Sequence, residues 1–261
     1  MKTGPDKKSG IFIIPSLLTT VNLFCGFYSI IAVLKSDYTT AAVAILIAML
    51  FDAFDGKIAR LTNSTSRFGV EYDSLSDLAS FGIAPGLLIY TWALNGYGKI
   101  GWLAVFLYIA CGAMRLARFN TQTSGAGGAG LKHFIGLPIP AAAGLIATMV
   151  IFDHHILQMG KEVRPLVILL MTYILAYLMV STIPYRSFKE AHMAEKRPLS
   201  FLIAAVLVLI VIVAEPRIML FVLFALYASS GILGRFFSPL LLAIRRRSGI
   251  RKTDVAKDKN I

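Results

Sequence analysis

A chain of 261 residues that is 57% hydrophobic and only 15% charged is not an ordinary soluble domain, in which about 25% of residues carry charge. Its mean hydropathy of +0.72 and net charge of +12 pose two alternatives, membrane or nucleic acid. The apolar runs decide between them: they recur from Ile11 to Phe237, each near the ~20 residues that a bilayer-spanning helix needs.

The expected fold class is an all-α polytopic membrane protein. In chain order, spans are predicted at 12–34, 38–62, 70–93, 100–119, 136–157, 165–184, 199–214 and 217–238. This makes one transmembrane catalytic domain over 12–238, preceded by a juxtamembrane segment 1–11 and followed by a basic tail 239–261. The segment before the first span has no small-residue cleavage site, so that helix is expected to be retained. Eight spans place both termini on one side. Of the 26 Lys and Arg, only Lys35, Lys99, Lys161, Arg164 and Arg217 fall on the other side. Basic residues accumulate in cytoplasmic segments, so both termini are expected in the cytoplasm of a multi-pass protein of the cell (inner) membrane. Arg245, Arg246, Arg247, Arg251 and Lys252 then lie beside the inner leaflet, where each adds about 1 kcal/mol of attraction to anionic lipid. That distribution argues against nucleic acid as a partner. Cys25 and Cys111 both fall inside apolar segments and read as small core residues, not as a disulfide.

Four aspartates contradict the apolar pattern. Asp52 and Asp55 end the second predicted span in FDAFDGKIAR, and Asp73 and Asp77 open the third in GVEYDSLSDLASFG. A single Asp near the centre of a span costs about 2.5–3.5 kcal/mol, less toward the interface. At ~100° per residue, Asp52 and Asp55 share a helix face with Gly56, Ala59 and Arg60, while Asp73 and Asp77 stack one turn apart. A short turn makes the two helices antiparallel neighbours, so the acids converge and repel. Divalent cations relieve that repulsion, because hard Mg²⁺ or Mn²⁺ is held by a few carboxylates together with substrate phosphate oxygens. Gly56, Ala59 and Gly69 leave room for a ligand, and Arg60 offers charge to its phosphates. Competing readings pair the acids with Arg60 or Arg67, or string them along the path of a cation transporter. The glycines at 82 and 86 read as close packing around Pro85. Those at 125–130 lack the GK[ST] of a phosphate-binding loop and read as a cytoplasmic loop. His133, His154 and His155 read as loop residues outside any metal site.

The acids lie in the pattern D-x₂-D-G-x₂-A-R-x₈-G-x₃-D-x₃-D, carried by Asp52, Asp55, Gly56, Ala59, Arg60, Gly69, Asp73 and Asp77. This pattern resembles that of the CDP-alcohol phosphotransferase family. The flanking runs NLFCGFYSI, RLARFN, FIGLPIPAAAG and VSTIPYRSFK are similar to those of the bacterial integral-membrane phosphatidylserine synthases. The resemblance implies transfer of a phosphatidyl group from CDP-diacylglycerol to the hydroxyl of L-serine, releasing CMP. It implies two Mg²⁺ or Mn²⁺ ions, bridged by Asp52 and Asp73, with Asp55 completing one and Asp77 bordering the other. Asp77 is implied as the proton acceptor. Gly56, Arg60 and Ser66 would contact CDP, with Ala59 and Gly69 leaving space for it. The start of the first helix, Pro15, Ser16 and Thr19, is implied in the same subsite, although Ser16 stands where the family usually has Asn. A homodimer is also implied, with the lipid of the membrane as surroundings.

Serine brings a carboxylate into the site. Arg115 and Arg118 share one face near the end of the fourth predicted span, followed by Asn120, and a paired Arg–carboxylate contact suits serine better than choline. Glycerol phosphate or inositol phosphate would need a denser basic pocket.

Overall fold

The computed structural model describes residues 13–62, 66–124, 134–158, 163–185, 215–231 and 233. They are helical apart from turns and one two-residue ladder, in which Phe134–Ile135 pairs antiparallel with Pro184–Tyr185. Helix α1 spans Ile13–Leu34 and α2 spans Tyr38–Leu61. A rod over 67–94, called α3, begins as α-helix Arg67–Asp77, loosens to π-helix at Leu78–Ile83, tightens at Ala84–Ile89 and loosens again at Tyr90–Leu94. Helix α4 is Gly98–Ser124, α5 is Ile139–Phe152 with a π-turn at Asp153–Leu157, α6 is Val163–Val180 and α7 is Pro216–Gly231.

Among the described residues, four helical stretches are long and apolar enough to cross a membrane: Pro15–Leu34, Arg67–Gln122 (56 residues), Ile139–Leu157 and Val163–Val180. The molecule is thus an all-helical protein of membrane type. The expected span at 199–214 and the glycines at 125–130 lie outside the described residues.

Local chemistry sets the helix ends. Asp37 accepts the backbone N–H of Thr40 at 3.0 Å and starts α2, and the Thr40 contacts hold its carboxyl below the usual carboxylate range. Ser66 caps α3 by accepting the N–H of Gly69 at 2.9 Å. The fifth helix begins at Ile139, later than the expected 136, for two backbone reasons. Gly136 has φ +84°, and Pro138 is extended. A side chain at Gly136 would also strike the backbone carbonyl of Met179. This close approach lets Gly136 N–H donate to Ile183 O at 2.9 Å and Leu137 N–H to Leu178 O at 3.0 Å, docking the loop on the end of α6.

The loosened stretch of α3 has an identifiable cause. Pro85 has no N–H to give the carbonyl of Phe81, four residues earlier. The hydroxyl of Tyr108, fully buried on α4, donates to that carbonyl at 2.9 Å instead. Helix α5 is buried along Ala142–Val150 and sits at the centre, consistent with its being apolar on every side. Its Thr148 donates to Gly144 O at 2.7 Å, and Thr172 of α6 donates to Ile168 O at 2.7 Å. These two buried hydroxyls are thus satisfied within their own helices. Helix α2 packs between α1 and α5 through Ala41, Ala42, Ile45 and Ala48, all fully buried.

Candidate active site

The acids do converge. One carboxylate oxygen from each of Asp52, Asp55 and Asp73 lies within 4.8 Å of the other two. Asp77, 8% exposed, adjoins them, its carboxyl in hydrogen-bonding contact with that of Asp52. The placement follows from the helices: two acids a turn apart end α2, two more open α3, and the connection between the two helices is short.

Helix α1 closes the third side. Thr19 donates to Asp55 Oδ2 at 2.9 Å, and Asn22, one turn deeper, donates through Nδ2 to Asp77 Oδ1 at 3.2 Å. Asp55 also accepts the backbone N–H of Gly56. Two serines of α3 return hydrogen bonds to the same turn of α1: Ser76 to Thr19 O at 3.1 Å and Ser80 to Asn22 O at 3.0 Å. Gly26 allows this approach, since a Cβ there would sit 2.7 Å from the Cα of Ser80.

None of the four acids is in an ion pair with Lys or Arg among the described residues, and Oδ1 of Asp73 is buried without a hydrogen-bond partner. Unpaired buried carboxylates cost several kcal/mol each. A hard divalent cation fits this donor set, since it takes carboxylate oxygens and leaves coordination positions for phosphate.

The sequence profile of the CDP-alcohol phosphatidyltransferase family matches residues 12–183. The chain belongs to that family. It is 35% identical over 229 residues to the CDP-diacylglycerol–serine O-phosphatidyltransferase of Helicobacter pylori, covering 87% of this chain and 92% of that protein. It is 37% identical over 182 residues to the enzyme of the same name from Bacillus subtilis, covering 70% of this chain and 94% of the relative. Similarity extends to the archaetidylserine synthase of Methanothermobacter thermautotrophicus, 42% identical over 146 residues, 55% of this chain and 60% of that protein.

Within this member of the family, the remaining expected site residues fall into three groups. Gly56 and Ala59 line α2 beside Asp55, while the side chain of Arg60 lies outside the described residues. Ser66 and Gly69 form the cap of α3, and a Cβ on Gly69 would come within 3.1 Å of the capping oxygen. At the start of α1, Pro15 O accepts from Thr19 at 3.0 Å and Ser16 O from Thr20 at 2.8 Å. Thr19 therefore faces the acids directly.

The basic residues separate. Arg115 is half-buried, its Nε has no hydrogen-bond partner, and its charge is in electrostatic reach of Asp77 and Tyr227. Arg118 points to the end of α6, donating to Val180 O at 3.3 Å. Asn120 ties α4 to α3, donating to Ser74 Oγ at 2.9 Å and Glu71 Oε2 at 3.2 Å. His154 and His155 are exposed on the π-turn, away from the acids. Gly86 packs on Val105 and Ile109 of α4, a packing glycine.

Asn22, Ser76 and Ser80 are absent from the family's acidic signature and were not expected from it. A signal for them exists: Thr19, Asn22, Gly26 and Ser29 recur every three or four residues along one face of an otherwise apolar helix.

Proposed function

We propose that the protein transfers the phosphatidyl group of CDP-diacylglycerol to the hydroxyl of L-serine, giving phosphatidylserine and CMP. The observation that carries this reading is the three-acid cluster with the orphaned oxygen of Asp73, seated on α2 and α3 and braced by α1. The relatives from Helicobacter pylori and Bacillus subtilis, which share most of their length with this chain, are named for the same reaction. Asp52, Asp55 and Asp73, with Asp77 at their border, would hold divalent metal, two Mg²⁺ or Mn²⁺ ions. When bound, the ions neutralise the pyrophosphate oxygens and stabilise the departing CMP.

The chain's own residues do the rest. Asp77 accepts the serine hydroxyl proton while the serine oxygen forms a bond to the phosphatidyl phosphorus. The bond from that phosphorus to the CMP oxygen breaks, and its electron pair leaves with CMP. Gly56, Ala59, Arg60, Ser66 and Gly69, with Pro15, Ser16 and Thr19, form the CDP subsite. Arg115 receives the serine carboxylate, which the free Nε supports, and Arg118 and Asn120 shape that pocket. The active site faces the cytoplasm, where CDP and serine are dissolved, in a cell-membrane protein of eight spans with both termini cytoplasmic. The single catalytic domain over 12–238 acts in a homodimer.

Purified protein supplied with CDP-diacylglycerol, Mn²⁺ and a panel of alcohols tests the assignment. Serine is expected to release CMP in equal amount to phosphatidylserine identified by mass, and chelation is expected to stop both. CMP formed only with glycerol phosphate or inositol phosphate would reassign the acceptor. No CMP with any alcohol would overturn the enzyme reading in favour of cation transport.

A further inference from the structure

Asn22 is a polar residue, 0% exposed, near the middle of α1. Its amide meets Asp77 at 3.2 Å. A carboxylate only accepts, so the NH₂ side of the amide faces Asp77 and the carbonyl faces away. That carbonyl, Oδ1, is buried and has no hydrogen-bond partner. A residue kept for packing alone would be better as leucine, since an unsatisfied buried acceptor destabilises the fold. The contrast with Thr148 and Thr172 is direct: both are buried, and both are satisfied by their own helices.

The position of Asn22 is also set from outside. Ser80 binds its backbone carbonyl at 3.0 Å, Ser76 binds that of Thr19 at 3.1 Å, and Gly26, one turn on, leaves the room that Ser80 fills. Helix α1 is thereby locked in register with the stretch of α3 that carries Asp77. Beyond this point the looser π-segment begins at Leu78, so the lock falls where α3 changes its winding. Such segments cluster at functional sites.

We propose that Asn22 is a positioning residue for Asp77: its amide holds Oδ1 of that carboxylate and so fixes the orientation in which the group, beside Asp52, meets the acceptor hydroxyl. The inference rests on the reading of Asp77 as proton acceptor. The side-chain hydrogen bond of Asn22 goes to Asp77 and not to Asp52, Asp55 or Asp73. Its loss therefore acts on turnover, not on substrate or metal capture.

The test compares wild type, Asn22→Leu, Asn22→Gln and Asp77→Asn as full-length protein in detergent. Four readouts are taken: kcat, KM for CDP-diacylglycerol, Mn²⁺ affinity by electron paramagnetic resonance, and thermal midpoint. For Asn22→Leu, kcat is expected to fall about 100-fold, the low end of what a positioned base contributes. Its KM for CDP-diacylglycerol and its Mn²⁺ affinity are expected to stay within about twofold of wild type, with folding preserved, as a donor-only role demands. Asn22→Gln keeps the amide and is expected to retain roughly tenfold more turnover than the leucine variant. Wild-type kcat in Asn22→Leu, or a loss matched by weaker Mn²⁺ binding, overturns the inference. If the leucine variant does not fold, wild-type kcat in Asn22→Gln with its displaced amide overturns it instead. Full activity of Asp77→Asn would sink the underlying reading of the base, a result distinct from failure at Asn22 alone.

Discussion

Buried carboxylate chemistry lies beside each end of the rod α3, handled in opposite ways. Near its start, Asp73 and Asp77 meet Asp52 and Asp55 with hydroxyl, amide and backbone donors around them but no ion-paired arginine among the described residues. Near its far end, some fifteen residues or ~22 Å along the helix, Trp92 lies under Arg164, whose Cζ is 5.2 Å from the ring centroid. Arg164 Nε in turn pairs with Asp153 Oδ2 at 3.0 Å, Asp153 being 1% exposed. One acid with its own cation is a finished structural joint. Four acids with no ion-paired cation among the described residues are an unfinished site, and their charge calls for a bound cation. Counting acidic residues in a membrane helix is therefore less informative than asking where each counter-charge comes from.

The sharpest break of this comparison is Asp73→Asn. It removes a carboxylate from the cluster and is expected to lower kcat at least ~1,000-fold, about 4 kcal/mol of transition-state stabilisation, measured as CMP release at saturating substrates. The thermal midpoint should not fall, because a repelling charge is lost. At the far end the signs reverse. Asp153→Ala strands Arg164 beside Trp92 and is expected to cost about 2–3 kcal/mol of stability, discounted for the partial exposure of the arginine. Thermal unfolding in detergent measures it, and the kinetic constants of the surviving folded fraction should match wild type. Replacing both partners together, Asp153→Leu with Arg164→Met, should recover most of that loss, which no double replacement at the other end could do for turnover. The smallest effect belongs to Arg115→Ala: KM for serine is expected to rise about tenfold with KM for CDP-diacylglycerol nearly unchanged. Unchanged serine kinetics would remove Arg115 from the pocket and leave it as counter-charge to Asp77.

Much of this was legible in the chain. Apolar run lengths placed α1 at Ile13–Leu34 and α2 at Tyr38–Leu61 within a residue or so, because hydrocarbon thickness and helix rise leave little choice. The far-end pair was not legible. Asp153 and Arg164 are eleven positions apart on different helices, and only the turn between α5 and α6 brings them together. The same holds for Asn120, whose sequence position beside Arg118 suggested a pocket, while the fold also gives it Ser74 and Glu71 as partners. The start of α5 was misplaced by three residues because a hydropathy run does not register the positive φ of Gly136.

By itself, the order of residues determined the membrane class, the bounds of α1 and α2 and the meeting of two acidic faces. Each rests on periodicity within one helix or on a short link between two, which are local properties of the chain. Only the tertiary structure decided which acids lack an ion-paired cation among the described residues, and that Thr19 and Asn22 of α1 reach across to Asp55 and Asp77. Those contacts span 36 and 55 positions. A hydrogen bond over such separations depends on the register between packed helices, which is fixed by Gly26 against Ser80 and by the bonds of Ser76 and Ser80 to the backbone of α1.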